Sequence, residues 1–202
     1  MARGVRNKVV EENKAEVTTR TAVPDQSKKI VRLIRKAAGG DAEAFGEIYS
    51  LYLDRIYRYV FYQVRDKMTA EDITEEVFIR AWRAIGSCRG KEQTFSSWLY
   101  RIAHNYVIDT FRRQRKDLSI DMETVAELSS PKVEAEAELE WRELLNGIDC
   151  LPQNQKQVII LKFIEGLDNR EIGQVMGKNQ GAIRILQMRA LAKLREKLSS
   201  ER

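Results

Sequence analysis

A chain of 202 residues, 43% apolar and 32% charged with only three prolines, is long enough for one or two domains with their own cores and has the make-up of a helix-rich protein. A net charge of +5 suits a polyanion partner, while two distant cysteines, Cys88 and Cys150, and the lone His104 exclude a metal centre built from soft donors. No apolar leader opens the chain and no window approaches the roughly 18 apolar residues of a membrane span, so a cytoplasmic protein without membrane insertion is expected.

Charge is segregated along the chain: Lys and Arg dominate residues 1–40, whereas Lys132 is the only base among the acids of residues 117–140. Residues 1–27 are polar, lack a sustained period and include Pro24, which predicts a mobile arm. From Lys28 the pattern turns helical, with Ile30, Val31 and Ile34 ahead of a stop at Gly39-Gly40. Asp41 is placed to cap a longer helix in which Phe45, Ile48, Tyr52, Ile56 and Tyr59 keep three- and four-residue spacing.

The next helix is expected from about 70 to 85. Thr69 with Asp72 three residues later reads as a capping-box-like start, Ile73, Val77 and Ala81 with Trp82 form the buried stripe, and Gly86 is the stop. Carboxylates crowd its first turns, where the helix dipole favours them. A loop from Ser87 to Gln93 carries Arg89 and Lys91, and Thr94 then caps a helix to Lys116 bearing Phe95, Trp98, Leu99, Ile102, Tyr106 and Phe111. Aromatics interleaved with Arg101, Arg112 and Arg113 suit single-stranded DNA, but the helical spacing of Trp98, Ile102 and Tyr106 assigns those three to the core. The basic end and the loop are left as the strand contacts. Residues 28–116 make one domain.

Residues 117–135 lose the period, turn acidic and contain Ser129-Ser130-Pro131, a flexible linker. Residues 136–202 make the second domain. Leu139, Leu144, Leu145 and Ile148 mark one helix; Pro152 opens another through Val158, Leu161 and Ile164, closed by Gly166. Asp168 caps a short helix to Met176, and Asn179 caps a last one reaching Leu198. Gly173, Gly177 and Ile183 give this pair the form of a helix-turn-helix, whose second helix carries Arg184, Gln187, Arg189, Lys193 and Arg195 for phosphates and base edges. A basic solvated helix in a structural hairpin is the bland alternative. The fold class is therefore all-α: two small helical domains, the second a helix-turn-helix. His104 reads as a structural histidine, and no nucleophile elbow, phosphate loop or dinucleotide fingerprint is present, so no enzyme, cofactor or metal is expected.

The run from Ala70 to Trp82 resembles the acidic helix of bacterial sigma factors of the extracytoplasmic-function (ECF) type, which docks on RNA polymerase. Phe95-Ser96-Ser97-Trp98-Leu99-Tyr100-Arg101-Ile102-Ala103-His104-Asn105 is similar to that family's second region, which opens and reads the downstream (−10) promoter element. Leu151-Pro152, Glu165-Gly166-Leu167 and Arg170-Glu171-Ile172-Gly173 are similar to its fourth region, which recognises the upstream (−35) element. The resemblance implies core RNA polymerase and promoter DNA as partners, leaves room for an anti-sigma factor, and gives the acidic linker a place in a polymerase channel. Glu71, Asp72, Glu75, Glu76, Phe78 and Arg80 become the polymerase-binding set. Arg89, Lys91, Arg101, Asn105, Arg112 and Arg113 become the −10 set, Asn105 by position within the motif. Lys162, Arg184 and Met188 match −35 contacts, and Lys178, Asn179, Gln180, Gln187 and Arg189 join them. Ile185 and Leu186 depart from the family's polar pattern. The rival readings are a polymerase-independent helix-turn-helix regulator and a metal-dependent nuclease built on Asp72, Glu75 and Glu76.

Overall fold

A computed structural model describes residues 24–88, 94–117 and 135–200, and the regular structure among them is helical. The arm up to residue 23, the loop bearing Arg89 and Lys91, and the linker from 118 to 134 lie outside the described residues. Helix α1 spans Pro24–Ala37. It begins at Pro24 rather than Lys28, because a proline at the first helical position lacks an N–H that would go unpaired anyway. Gly40, at φ 98°, ends it in a conformation that suits glycine.

Helix α2 is Ala42–Val64, capped as expected by Asp41, whose Oδ1 accepts the Ala44 N–H at 3.0 Å. It buries Ile48, Tyr52, Ile56, Tyr59 and Val60. Arg65, left-handed at φ 60°, turns the chain into α3, Lys67–Ala84. The cap of α3 is Asp66 and not Thr69: Asp66 Oδ2 accepts the Thr69 N–H at 2.7 Å, and that bond holds the Asp66 carboxyl below its ordinary pKa. Ala70, Ile73, Val77, Phe78 and Ala81 face the core. Trp82 does not, since 38% of it stays exposed. A 3₁₀ turn, Ile85–Cys88, takes over at the helix end, so Gly86 sits inside a turn instead of stopping the helix. Helix α4, Phe95–Asp117, buries Phe95, Leu99, Tyr100, Ala103 and Val107, with Trp98, Ile102 and Tyr106 half-buried against the same core as expected.

The second set holds α5 (Ala135–Asp149), α6 (Gln153–Ile159), α7 (Asn169–Met176) and α8 (Gln180–Ser200). The helix expected to run through Ile164 changes pitch at Ile160–Ile164, a π turn in which the Glu165 N–H reaches the Ile160 carbonyl at 3.0 Å. Asp168 and Glu171 form a complete capping box at the start of α7. Gly177 takes φ 64° at its end, and a Cβ on Gly173 would stand 2.6 Å from the Lys178 carbonyl oxygen, so both glycines are required for the tight crossing onto α8. Asn179 Oδ1 caps α8 through the Ala182 N–H at 2.8 Å. Ile160, Leu161, Ile172 and Ile183 are fully buried; each such side chain contributes roughly 1.5–3 kcal/mol. The two sets pack on each other, α4 against α7 and α2 against the π turn.

Candidate functional site

On α3 the core stripe leaves Glu71, Asp72 and Glu75 exposed. Glu76 is half-buried, its Oε1 accepting the Arg80 Nε–H at 2.7 Å, and the Arg80 guanidinium lies 4.4 Å from the centre of the Tyr106 ring. Arg80 is thus engaged twice within the chain. Phe78, expected as a contact residue, is only 4% exposed and meets the Tyr49 ring edge-on at 4.7 Å. It forms the wall of a groove instead of projecting from the surface, because the spacing of Ile73, Val77 and Ala81 carries it inward as well. The groove is lined by Phe45, Tyr49, Phe78 and Trp82, with Glu75 and Arg83 at its rim. Phe45 and Trp82 pack at 4.9 Å. Tyr49 and Trp82 were not among the expected site residues; Tyr49 falls just off the α2 stripe, which is the one sign in the sequence that an aromatic is left over. Among the described residues no three His, Cys, Asp or Glu are grouped to hold a metal, so Asp72, Glu75 and Glu76 do not converge.

Arg101, Asn105, Arg112 and Arg113 are exposed on α4, and the first three recur at helical spacing on one face. His104 turns the other way. It is 9% exposed, and its Nδ1 has no hydrogen-bond partner. Burial, followed by the nearby charges of Lys178 and Arg101, pushes its pKa down to about 4. Arg89 and Lys91 lie outside the described residues.

In the helix-turn-helix, Lys178, Asn179, Gln180, Arg184, Met188 and Arg189 are exposed and Lys162 is half-buried on the π turn. Gln187 is not presented outward. Its side-chain amide exchanges hydrogen bonds with Asn169, Nε2 donating at 3.0 Å and Oε1 accepting at 3.4 Å, which ties α8 to α7. The two unusual apolar residues part company: Leu186 packs against the core, whereas Ile185 remains 47% exposed.

The sequence gave no hint of what joins the two helical sets. The Glu165 side chain has no exposed surface and accepts from Arg58 through both carboxylate oxygens, at 2.8 and 3.1 Å. Tyr100 donates its hydroxyl to the same carboxylate at 2.5 Å, and Arg55 donates to the Glu165 carbonyl at 3.3 Å. The Glu165 hydrogen bond raises the Arg58 pKa, and burial raises that of Tyr100. Beside this cluster, Lys156 Nζ donates to Asp149 at 2.7 Å and to the Gln63 carbonyl at 3.1 Å, while Arg65 pairs with Asp149 at 2.9 Å. Burial lowers the Lys156 pKa, and Asp149 opposes that shift.

Comparison with known proteins matches residues 48–117 to Sigma-70 region 2 and residues 147–196 to Sigma-70 region 4. The chain is 37% identical over 179 residues to the ECF RNA polymerase sigma factor BldN of Streptomyces coelicolor, an alignment covering 87% of this chain and 68% of BldN. It is 33% identical over 181 residues to the ECF RNA polymerase sigma factor SigW of Bacillus subtilis, covering 84% of this chain and 96% of SigW. Among solved structures, CnrH in complex with the cytosolic domain of CnrY shares the fold with a TM-score of 0.67 at 22% identity, over 86% of this chain and 99% of that one. The sigma factor RpoE of Bartonella quintana, in complex with the anti-sigma factor NepR, does so with a TM-score of 0.63 at 19% identity, over 78% and 98%.

Proposed function

The chain belongs to the sigma-70 family as an ECF RNA polymerase sigma factor directing promoter recognition with RNA polymerase, and on that premise we propose which of its surfaces does which part. Residues 28–116 dock on core polymerase and hold the downstream element, residues 136–202 hold the upstream element, and residues 117–135 tether the two. The observation that carries this division is a pair of outward faces of opposite sign: acids rim an aromatic groove on α3, and Arg184, Arg189, Lys193 and Arg195 line α8. Opposite charges select different partners, a protein clamp and a nucleic-acid duplex.

Magnitudes decide which α3 residues matter most. Rim ion pairs contribute about 0.2–1 kcal/mol each, whereas buried aromatic anchors reach about 2 kcal/mol or more at interfaces. Tyr49 and Trp82 therefore anchor polymerase, with Glu71, Asp72, Glu75 and Glu76 steering the encounter and fixing its register. Arg80 joins the contact only by leaving Glu76 and Tyr106. On α4, Arg101, Asn105, Arg112 and Arg113 hold the separated strand, and Lys162, Lys178, Asn179, Gln180, Arg184, Met188 and Arg189 hold the upstream duplex. The protein performs no chemistry of its own and works in the cytoplasm. An anti-sigma factor restrains it, as the titles of the CnrH and RpoE structures describe for those proteins.

Run-off transcription with core polymerase, followed by mapping of the start sites, tests the whole assignment. Transcription from specific starts that depends on the added chain is expected. A folded Trp82→Ala variant should bind core polymerase at least tenfold more weakly; unchanged affinity places docking elsewhere. Sequence-specific DNA binding by the chain alone, with no capture of core polymerase, would instead support an independent regulator.

A further inference from the structure

Resting on the sigma-factor reading, we infer that Ile185 reads the 5-methyl group of a thymine in the upstream element. Inward, Ile183, Ala190 and Leu194 fix the side of α8 that faces the core. A helix turns by about 100° per residue, so the row Gly181, Ile185, Met188 and Ala192 lies on the side directly opposite. That outermost ridge carries no polar side chain, and its two large members are 47% and 66% exposed. Arg184 and Arg195 flank the ridge on one side, and Arg189 and Lys193 on the other, all four exposed.

This arrangement selects its occupant. An apolar ridge between two basic rows matches a major groove, which offers a floor of base edges between two walls of phosphate. On that floor hydrogen-bond donors and acceptors are everywhere, and the thymine methyl is the only apolar feature a side chain can seek. A ridge without polar atoms cannot read guanine or adenine by paired hydrogen bonds. It can reward a methyl. Ile185 lies in the first turns of α8, the part of a recognition helix that contacts base edges, and it is branched and stiff, so it holds its methyl groups in one place. Met188, one turn later and flexible, fills the space beside it. The turn of Leu186 into the core leaves Ile185 as the member of this pair free to meet DNA.

The experiment replaces each thymine of the upstream element by deoxyuridine, one at a time, which deletes a methyl and nothing else. The element is first obtained by selection from a random upstream library with holoenzyme assembled from core polymerase and the full chain. Holoenzyme affinity is then measured at fixed salt for wild type, Ile185→Ala and Leu191→Ala. Leu191 is also exposed and apolar, but it lies off the ridge. One thymine should cost wild type about fourfold in affinity on losing its methyl, the worth of one buried methyl group. The Leu191→Ala protein should show the same loss and the Ile185→Ala protein none. A selected element without thymine, a methyl effect that persists in Ile185→Ala, or no methyl effect in wild type overturns the inference while leaving the sigma-factor assignment intact. Weakened core-polymerase binding by Ile185→Ala with unchanged base preference overturns it in favour of a protein contact. A holoenzyme that selects no upstream element removes both.

Discussion

Between the two helical sets charge goes inside, with Glu165 and Lys156 buried among arginines, a tyrosine and a backbone carbonyl, whereas on the outer faces of α3 and α8 hydrophobic side chains go outside at Tyr49, Trp82, Ile185 and Met188. Both arrangements run against the ordinary burial pattern. They differ in how complete they are. Each buried charge finds its partners within the chain: Glu165 has two oxygens and three donors, and Lys156 has a carboxylate and a carbonyl. The outer apolar groups keep much of their surface in water. Internal completeness marks a contact the chain makes with itself, and an apolar surplus beside unpaired charge marks one it makes with something else.

The sharpest way to break that contrast is to remove the carboxylate at the centre of the buried cluster. Glu165→Ala should cost about 3 kcal/mol in chemical denaturation, at the lower end for breaking a buried pair because Arg55 and Arg58 are about 40% exposed and still reach water. Tyr100→Phe, which deletes one donor to that carboxylate, should cost about 2 kcal/mol. If both variants unfold like wild type, the cluster does not hold the two sets together.

Acid probes the same interface without mutation. With its folded pKa depressed to about 4 against an ordinary 6.5, His104 favours the folded state above pH 6.5. The unfolded chain binds the extra proton, so that stability declines as pH falls from 6.5 and is spent by pH 4. The shift corresponds to at most about 3 kcal/mol. Because Lys178 and Arg101 both act on the imidazole, protonation also pushes α4 away from the turn between α7 and α8. Urea midpoints for wild type and His104→Gln should converge as pH falls through that window. Parallel curves would clear His104 of the effect.

A smaller effect is expected at the helix cap: Asn179→Ala should lower stability by about 1 kcal/mol through loss of the Ala182 bond, and weaken upstream DNA binding by misplacing the start of α8. The smallest belongs on the outer ridge. Met188→Ala should move the denaturation midpoint by no more than about 0.5 kcal/mol, since two thirds of the side chain already lies in water, yet it should reduce promoter affinity. A large loss of stability there would show that the ridge is part of the fold.

What was legible in the sequence was local. The caps at Asp41, Asp168 and Asn179, the turn at Gly177 and the buried stripes of α2 and α4 each follow from residues within a few positions of one another, and each is in place. The α3 start was missed by a few residues because Lys67 and Met68 carry no apolar period, which hid the cap at Asp66. Gln187 was expected on the DNA face from its type and helix, but its direction is settled by Asn169, on a different helix. The Glu165 cluster lay further out of reach, since its partners come from two other helices more than sixty residues away. Helix α8 hides its two roles for another reason. Apolar residues on both its inner and outer sides cancel the one-sided pattern by which a buried face is recognised.

The π turn at Ile160–Ile164 makes the aim of the DNA-reading helix a matter of counting. Five residues there span what an ordinary helical turn covers with about 3.6. Shortening the chain by one residue within it would restore the regular pitch and rotate all that follows by about 100°. Glu165 would swing away from Arg58, and the ridge of α8 would present a different side to the duplex, although no contacting side chain had changed. A deletion in that turn therefore acts on promoter choice as strongly as a substitution in the recognition helix, and does so from outside it.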